Sequence, residues 1–131
     1  MHKMDVVFVA GESYRITVRG HDITVDQPLD ASGDDRAPTP LELFVASLAS
    51  CVAFYAGRYL ARHGMSRDAL RVETTYAMAD HGPSRVTDVR MRVIPPAPLD
   101  PARRHALAAV VDHCTVHNTL RQPLGVTVNI G

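Results

Sequence analysis

The chain has no tryptophan, only two cysteines and no net charge, and each shortage excludes something. Fourteen basic side chains are balanced by fourteen acidic ones, and no basic run tracks a phosphate backbone. Nucleic acid and anionic membrane are therefore not expected as partners. Two cysteines far apart in sequence do not make a secreted disulfide framework. The N-terminal MHKMDVVFVAGES has too short an apolar run for a signal peptide and leads straight into strand pattern, so a cytoplasmic protein is expected. There is no glycine-rich phosphate loop, dinucleotide fingerprint, internal repeat or low-complexity tract. With 131 residues, 46% hydrophobic and 21% charged, what remains is a single soluble domain over residues 1–131 with one core.

The stretch Thr39 to Gly64 dominates that domain. Thr39, Pro40 and Glu42 read as an N-cap, a first-turn proline and a capping-box partner, and Gly64 ends the helix they begin. A helix from Pro40 to His63 spans roughly 36 Å at ~1.5 Å per residue, the width of a domain this size. Between Leu41 and Ala56 apolar residues fall on nearly every face, interrupted only by Glu42, Ser47, Ser50 and Cys51. Such a helix needs cover on all sides: a sheet on one, and a second helix, a partner subunit or both on the rest. A membrane span is the competing reading, but the uninterrupted apolar part falls short of the ~20 residues a bilayer needs.

Around this helix, Asp5 to Ala10, Tyr14 to Arg19 and Ile23 to Val25 read as an antiparallel meander with one wet face. Gln27 to Pro38 is an aperiodic loop rich in Pro, Asp, Gly and Ser, with Arg36 its one basic residue. Leu70 to Ala79 and Arg85 to Ile94 form a long hairpin about the turn Asp80 to Ser84. Asp100 caps a second helix starting at Pro101, whose apolar stripe Leu107, Val110, Val111 is closed by Cys114 at i+7. Thr115 to Arg121 reads as a further helical turn, and Val126, Val128 and Ile130 alternate as a final strand. Strands in runs separated by helices indicate an α+β protein with mostly antiparallel sheet.

Cys51 and Cys114 both fall on apolar helix faces, and two crossing core helices would bring them together. A disulfide further requires Cα atoms within roughly 7 Å. The residues alone leave three roles open: buried structural thiols, metal ligands, or a redox pair. A metal set would combine Cys51, Cys114 and His117, with His113, at a spacing unlike the compact zinc patterns. A redox role requires a thiolate, which apolar surroundings oppose. Cys51 is too far from its helix N-terminus for the dipole to help, so it needs a cation, and Arg36 is the nearest candidate. Glu42 is already explained by the capping box. Phe44, Phe54, Tyr55 and Tyr59 are available to line a pocket, although on a buried helix they read first as core.

The stretch APTPLELFVASLASCVAFYAGRYLARHGM resembles the signature region of the OsmC/Ohr family, in which a proline-led, acidic and very apolar helix carries the first cysteine. HCTVHNTL resembles that family's second cysteine segment, close to His-Cys-Pro-Val with a leucine a few residues on, and ITVDQPLDASGDDRAPTP resembles the strand and loop before the helix. The resemblance covers nearly the whole chain in the right order. It implies an OsmC-like α+β fold, with mostly antiparallel sheets packed around a long central helix in an intertwined homodimer. It also implies thiol-dependent reduction of organic hydroperoxides without a metal or organic cofactor. Cys51 would be the peroxidatic residue, oxidised to a sulfenic acid, Cys114 the resolving residue, and a dithiol the reductant. Two departures stand out. Leu41 occupies the place of the family peroxidases' glutamate, with Glu42 rotated by about 100° from it. Thr115 occupies the place of the proline. A second reading therefore stays open, an OsmC-like dimer that binds a small hydrophobic or electrophilic ligand beside Cys51 without turnover.

Overall fold

The period-2 segments at the N-terminus form strands β1 (Asp5–Ala10), β2 (Ser13–Val18) and β3 (His21–Val25), paired antiparallel in that order. Arg19 (φ 48°) and Gly20 (φ 80°) connect β2 to β3, the pair of positive φ values that a tight type I′ hairpin requires. The computed structural model covers residues 1–131 and divides into a unit of Met1–Phe44, which holds this sheet, and a unit of Val45–Gly131. Alternation predicts one wet face, but Val6, Val7, Phe8 and Val9 are all exposed, so β1 is open on both faces. Period-2 patterning marks a strand; it does not supply the layer that covers it.

Asp26 organises the loop that follows. Its side chain is 1% exposed, and its carboxylate accepts the backbone N–H of Gln27 at 2.7 Å and of Arg36 at 3.1 Å, with Ser13 as a further partner. Gly33 lies against the Gln27 carbonyl, where a Cβ would come within 1.9 Å of the oxygen, so no side chain fits there. The Gln27 and Arg36 N–H groups hold the Asp26 carboxyl below the usual carboxylate range, against the opposing effect of burial.

Helix α1 (Pro40–Arg62) begins with the reciprocal bonds of a capping box: Thr39 N–H donates to Glu42 Oε1 at 2.9 Å, and Glu42 N–H to Thr39 Oγ1 at 3.1 Å. It ends in a Schellman motif, with Gly64 (φ 69°) donating to the Ala61 carbonyl and Met65 to the Leu60 carbonyl. The helix has 23 residues, and its most apolar 18-residue window has a mean hydropathy of 1.5, long and apolar enough to cross a membrane by length and composition, although its uninterrupted apolar part is short. One face is buried, through Val45, Leu48, Val52, Ala56, Tyr59 and Leu60. The other is not: Phe44 and Phe54 are exposed, Phe54 at 57%, so these two aromatics are not core within the chain.

Strands β4 (Arg71–Met78) and β5 (Val86–Ile94) form the long antiparallel hairpin, and helices α2 (Pro101–Val111) and α3 (Thr115–Arg121) follow. Asp100 caps α2 by accepting the Arg103 N–H at 2.8 Å, with Pro101 as the first helical residue. The buried side of α1 packs in two places. Ala56, Tyr59 and Leu60 meet Leu107 of α2, while Leu48 and Val52 meet Cys114, with Val72, Val89, Met91 and Val93 of the hairpin behind them.

The final strand does not form. Residues 122–131 have no regular structure, and Val126, Val128 and Ile130 are exposed, Ile130 at 93%. Alternation prepares a segment for pairing, but a strand exists only where a neighbouring edge takes up its N–H and C=O groups, and none in this chain does.

Because Asp26 has a lowered pKa, its contribution to stability is present above the unfolded value near 3.9 and is lost as pH falls through the folded value. Asp26→Asn is expected to lower the melting temperature by several degrees at pH 7, the gap to the parent shrinking below about pH 4. An equal gap at both pH values would contradict this role.

Candidate redox site

Cys51 lies midway along α1, beside Leu48 and Val52 on the packed face, and is half-buried. Cys114 arrives from the other side. Helix α2 stops at Val111, and after two residues the backbone of Cys114 is extended (φ −66°, ψ 152°), so the chain bends and α3 starts at Thr115. Cys114 is the N-cap of α3: its Sγ accepts the His117 N–H at 3.4 Å, where a serine or aspartate oxygen more commonly stands.

Cys51 lies on an apolar helix face as expected, whereas Cys114 stands past the end of α2 and not on its face; the two nonetheless meet in the core. Leu48, Val52 and Cys114 form one buried cluster, and Cys51, Tyr55, Val111 and Val116 pack against it. The two thiols are free and are neighbours in this cluster, close enough to interact. Their surroundings differ: Cys114 has no exposed surface, whereas Cys51 keeps some. Burial pushes the Cys114 thiol above its ordinary range. The His117 N–H opposes that rise, and the neighbouring Cys51 adds to it.

The bend around Cys114 is braced. Arg121 reaches back from the end of α3 to Asp112, donating to its backbone carbonyl at 2.7 Å and to its carboxylate at 2.8 Å. Asn118 Nδ2 donates to the His113 carbonyl at 3.2 Å, and Asn118 N–H to the Cys114 carbonyl at 2.9 Å. On the α1 side, the Tyr55 hydroxyl and Thr115 Oγ1 are hydrogen-bonded at 2.9 Å. Beside Tyr55 opens a cleft of about 350 Å³, lined also by Arg58, Tyr59, Arg62, His63 and Val110.

Other candidate residues are placed differently. No three His, Cys, Asp or Glu side chains gather within the chain in a group able to hold a metal ion. Glu42 is engaged with Thr39, and the hydrogen bond Arg36 makes is a backbone one, to Asp26. The sequence alone does not pair Tyr55 with Thr115. The available signal was position, since Tyr55 stands one helical turn after Cys51 and Thr115 directly follows Cys114.

The family model for OsmC-like proteins matches residues 33–129. No curated protein matches the chain. Among solved structures, a candidate osmotic-stress and detoxification response protein from Psychrobacter arcticus 273-4 superposes with a TM-score of 0.82 at 23% identity, covering 91% of this chain and 88% of the other. The OsmC-like protein of Mycoplasma pneumoniae gives 0.73 at 17% identity over 92% and 87%. An organic hydroperoxide resistance protein OsmC of Legionella pneumophila gives 0.67 at 15% identity over 92% and 89%. At these identities the structures speak for the fold, and the family model speaks for descent: with three-stranded and two-stranded antiparallel sheets, a long cysteine-bearing helix and a match over most of its length, this chain belongs to the OsmC-like protein family.

Proposed function

We propose that this chain reduces small organic hydroperoxides through a two-cysteine cycle, as a cytoplasmic homodimer regenerated by a dithiol. The observation that carries the reading is the contact between Cys51 and Cys114, one partly accessible and the other sealed in the core. A hydroperoxide has to reach the sulfur it oxidises, which favours Cys51 as nucleophile; the buried partner is suited to the following intramolecular step. The Cys51 thiolate attacks the terminal peroxide oxygen, the O–O bond breaks, and the alkoxide leaves as alcohol after taking a proton. The Cys114 sulfur then attacks the Cys51 sulfenic acid, forming the S–S bond and releasing water. A dithiol restores both thiols by exchange and becomes a disulfide itself. The hydroperoxide resistance relative from Legionella pneumophila supports the same class of chemistry. The homodimer is supported by the open face of α1 around Phe54, by β1 and by the unpaired Val126 to Ile130, apolar surfaces that a second copy would cover.

The cleft that begins at Tyr55, one helical turn from Cys51 and without Cys51 in its lining, leaves a second reading open, in which an OsmC-like dimer binds a small hydrophobic or electrophilic ligand beside Cys51 without turnover. Cysteine variants separate the two. Cys51→Ser is expected to abolish hydroperoxide consumption with the far-ultraviolet circular dichroism unchanged; undiminished consumption would remove the peroxidase reading. In Cys114→Ser the sulfenic acid on Cys51 should persist and label with dimedone after peroxide treatment. Iodoacetamide should modify Cys51 of the reduced, folded protein at least about tenfold faster than Cys114, because only an exposed thiolate reacts. Similar rates would contradict the sealed position of Cys114. In the parent protein, the rate of disulfide formation after oxidation should still be rising with pH beyond about 8.5, the midpoint of an unperturbed thiol, since the Cys114 pKa is raised.

A further inference from the structure

We propose that Tyr55 and Thr115 form a latch that positions the Cys114 sulfur against Cys51. The two residues are placed in parallel with the thiols: Tyr55 stands four residues after Cys51 on α1, and Thr115 is the residue after Cys114. Their hydroxyls meet at 2.9 Å, so the two backbone segments whose sulfurs pack together are also joined by a directional bond through oxygen.

The need for such a device follows from how the rest of the bend is held. Arg121 with Asp112, Asn118 with His113, and His117 N–H with Cys114 Sγ tie the bend to itself and make it rigid. What seats it on α1 is apolar contact among Leu48, Val52, Val111 and Val116. Apolar contact is strong but has no preferred direction, so it tolerates small slides and rotations. Disulfide formation does not: the Cα separation and the dihedral about the S–S bond are both restricted. A thiol is a weak hydrogen-bonding group, so contact between the two sulfurs does not impose that geometry either. A hydroxyl–hydroxyl bond is directional and of fixed length, and one helical turn from Cys51 it sets the rotation of the bend about the sulfur contact.

Tyr55 and Thr115 are thus positioning residues; they exchange no atoms with the substrate. In turnover, where the inference rests on the two-thiol cycle proposed above, they would hasten the step in which the Cys114 sulfur displaces the oxygen of the Cys51 sulfenic acid as water. The geometric claim concerns the pairing of the thiols and can be tested without a peroxide.

The protein is equilibrated in graded mixtures of reduced and oxidised dithiothreitol, and the fraction carrying a Cys51–Cys114 disulfide is read by alkylation and peptide mass spectrometry. This gives the effective concentration of one thiol at the other. Tyr55→Phe and Thr115→Val, which keep the shapes of the side chains, should each lower it about threefold to tenfold, the range a single net hydrogen bond supports. The double variant should fall no further than the lower single variant, because both remove the same bond. Thr115→Ser, which keeps the hydroxyl, should stay within about twofold of the parent. Circular dichroism establishes that each variant is folded. Parent-like values in either folded single variant, or additive losses in the double variant, would overturn the latch, as would a parent protein that forms no disulfide in the oxidising mixtures. If the disulfide forms there and responds as expected while organic hydroperoxide fails to produce it, the peroxidase reading fails and the latch stands.

Discussion

The packed face of α1 decides where the reactive groups stand. Ala56, Tyr59 and Leu60 seat α2 through Leu107, and Leu48 and Val52 seat the bend that follows it. Full burial of one such side chain is worth about 1.5–3 kcal/mol, so the contacts resist displacement together. Since Cys51 lies between Leu48 and Val52 in sequence, and Cys114 closes the same cluster, the packing that stabilises this half of the chain also brings the sulfurs together. A rotation of α1 by one residue would turn Cys51 through about 100° and separate them.

That arrangement makes two chemically identical side chains unequal. Cys114 loses water on every side and gains backbone donors from His117 and Val116, and the desolvation prevails, so its proton is held more tightly. Cys51 keeps a path to solvent. The proposed cycle calls for such an inequality, one thiol open to incoming reagents and the other kept for attack from within. Directional bonds, from Arg121 to Asp112 and between Tyr55 and Thr115, then fix the reserved sulfur where apolar packing alone would leave it loosely registered.

The parts legible in the sequence are those set by local chemistry. The Thr39–Glu42 box, the Asp100–Pro101 start, the Gly64 stop and the long hairpin could be read because each depends on residues close together in the chain. Cys114 as the closing residue of an apolar stripe was legible too, and the bend after Val111 turns that residue into the cap of the next helix. What escaped depends on other surfaces. Phe44 and Phe54 read as core on an apolar helix and are exposed; Val126 to Ile130 read as a strand and find no edge to join. The partnership of Tyr55 with Thr115 spans 60 positions and has no periodicity to reveal it. Membership in the OsmC-like family, carried by the two cysteine segments, was legible from the first, because those segments are long and occur in order.

The central claim is that Cys51 and Cys114 act as one poised redox pair. It is tested most directly by treating the reduced protein with one equivalent of an organic hydroperoxide at neutral pH, then weighing the intact chain and mapping its peptides. The account predicts a chain lighter by two hydrogens, both thiols unavailable to alkylation, and a single peptide pair joined through Cys51 and Cys114. Two free thiols and an unchanged mass would contradict it.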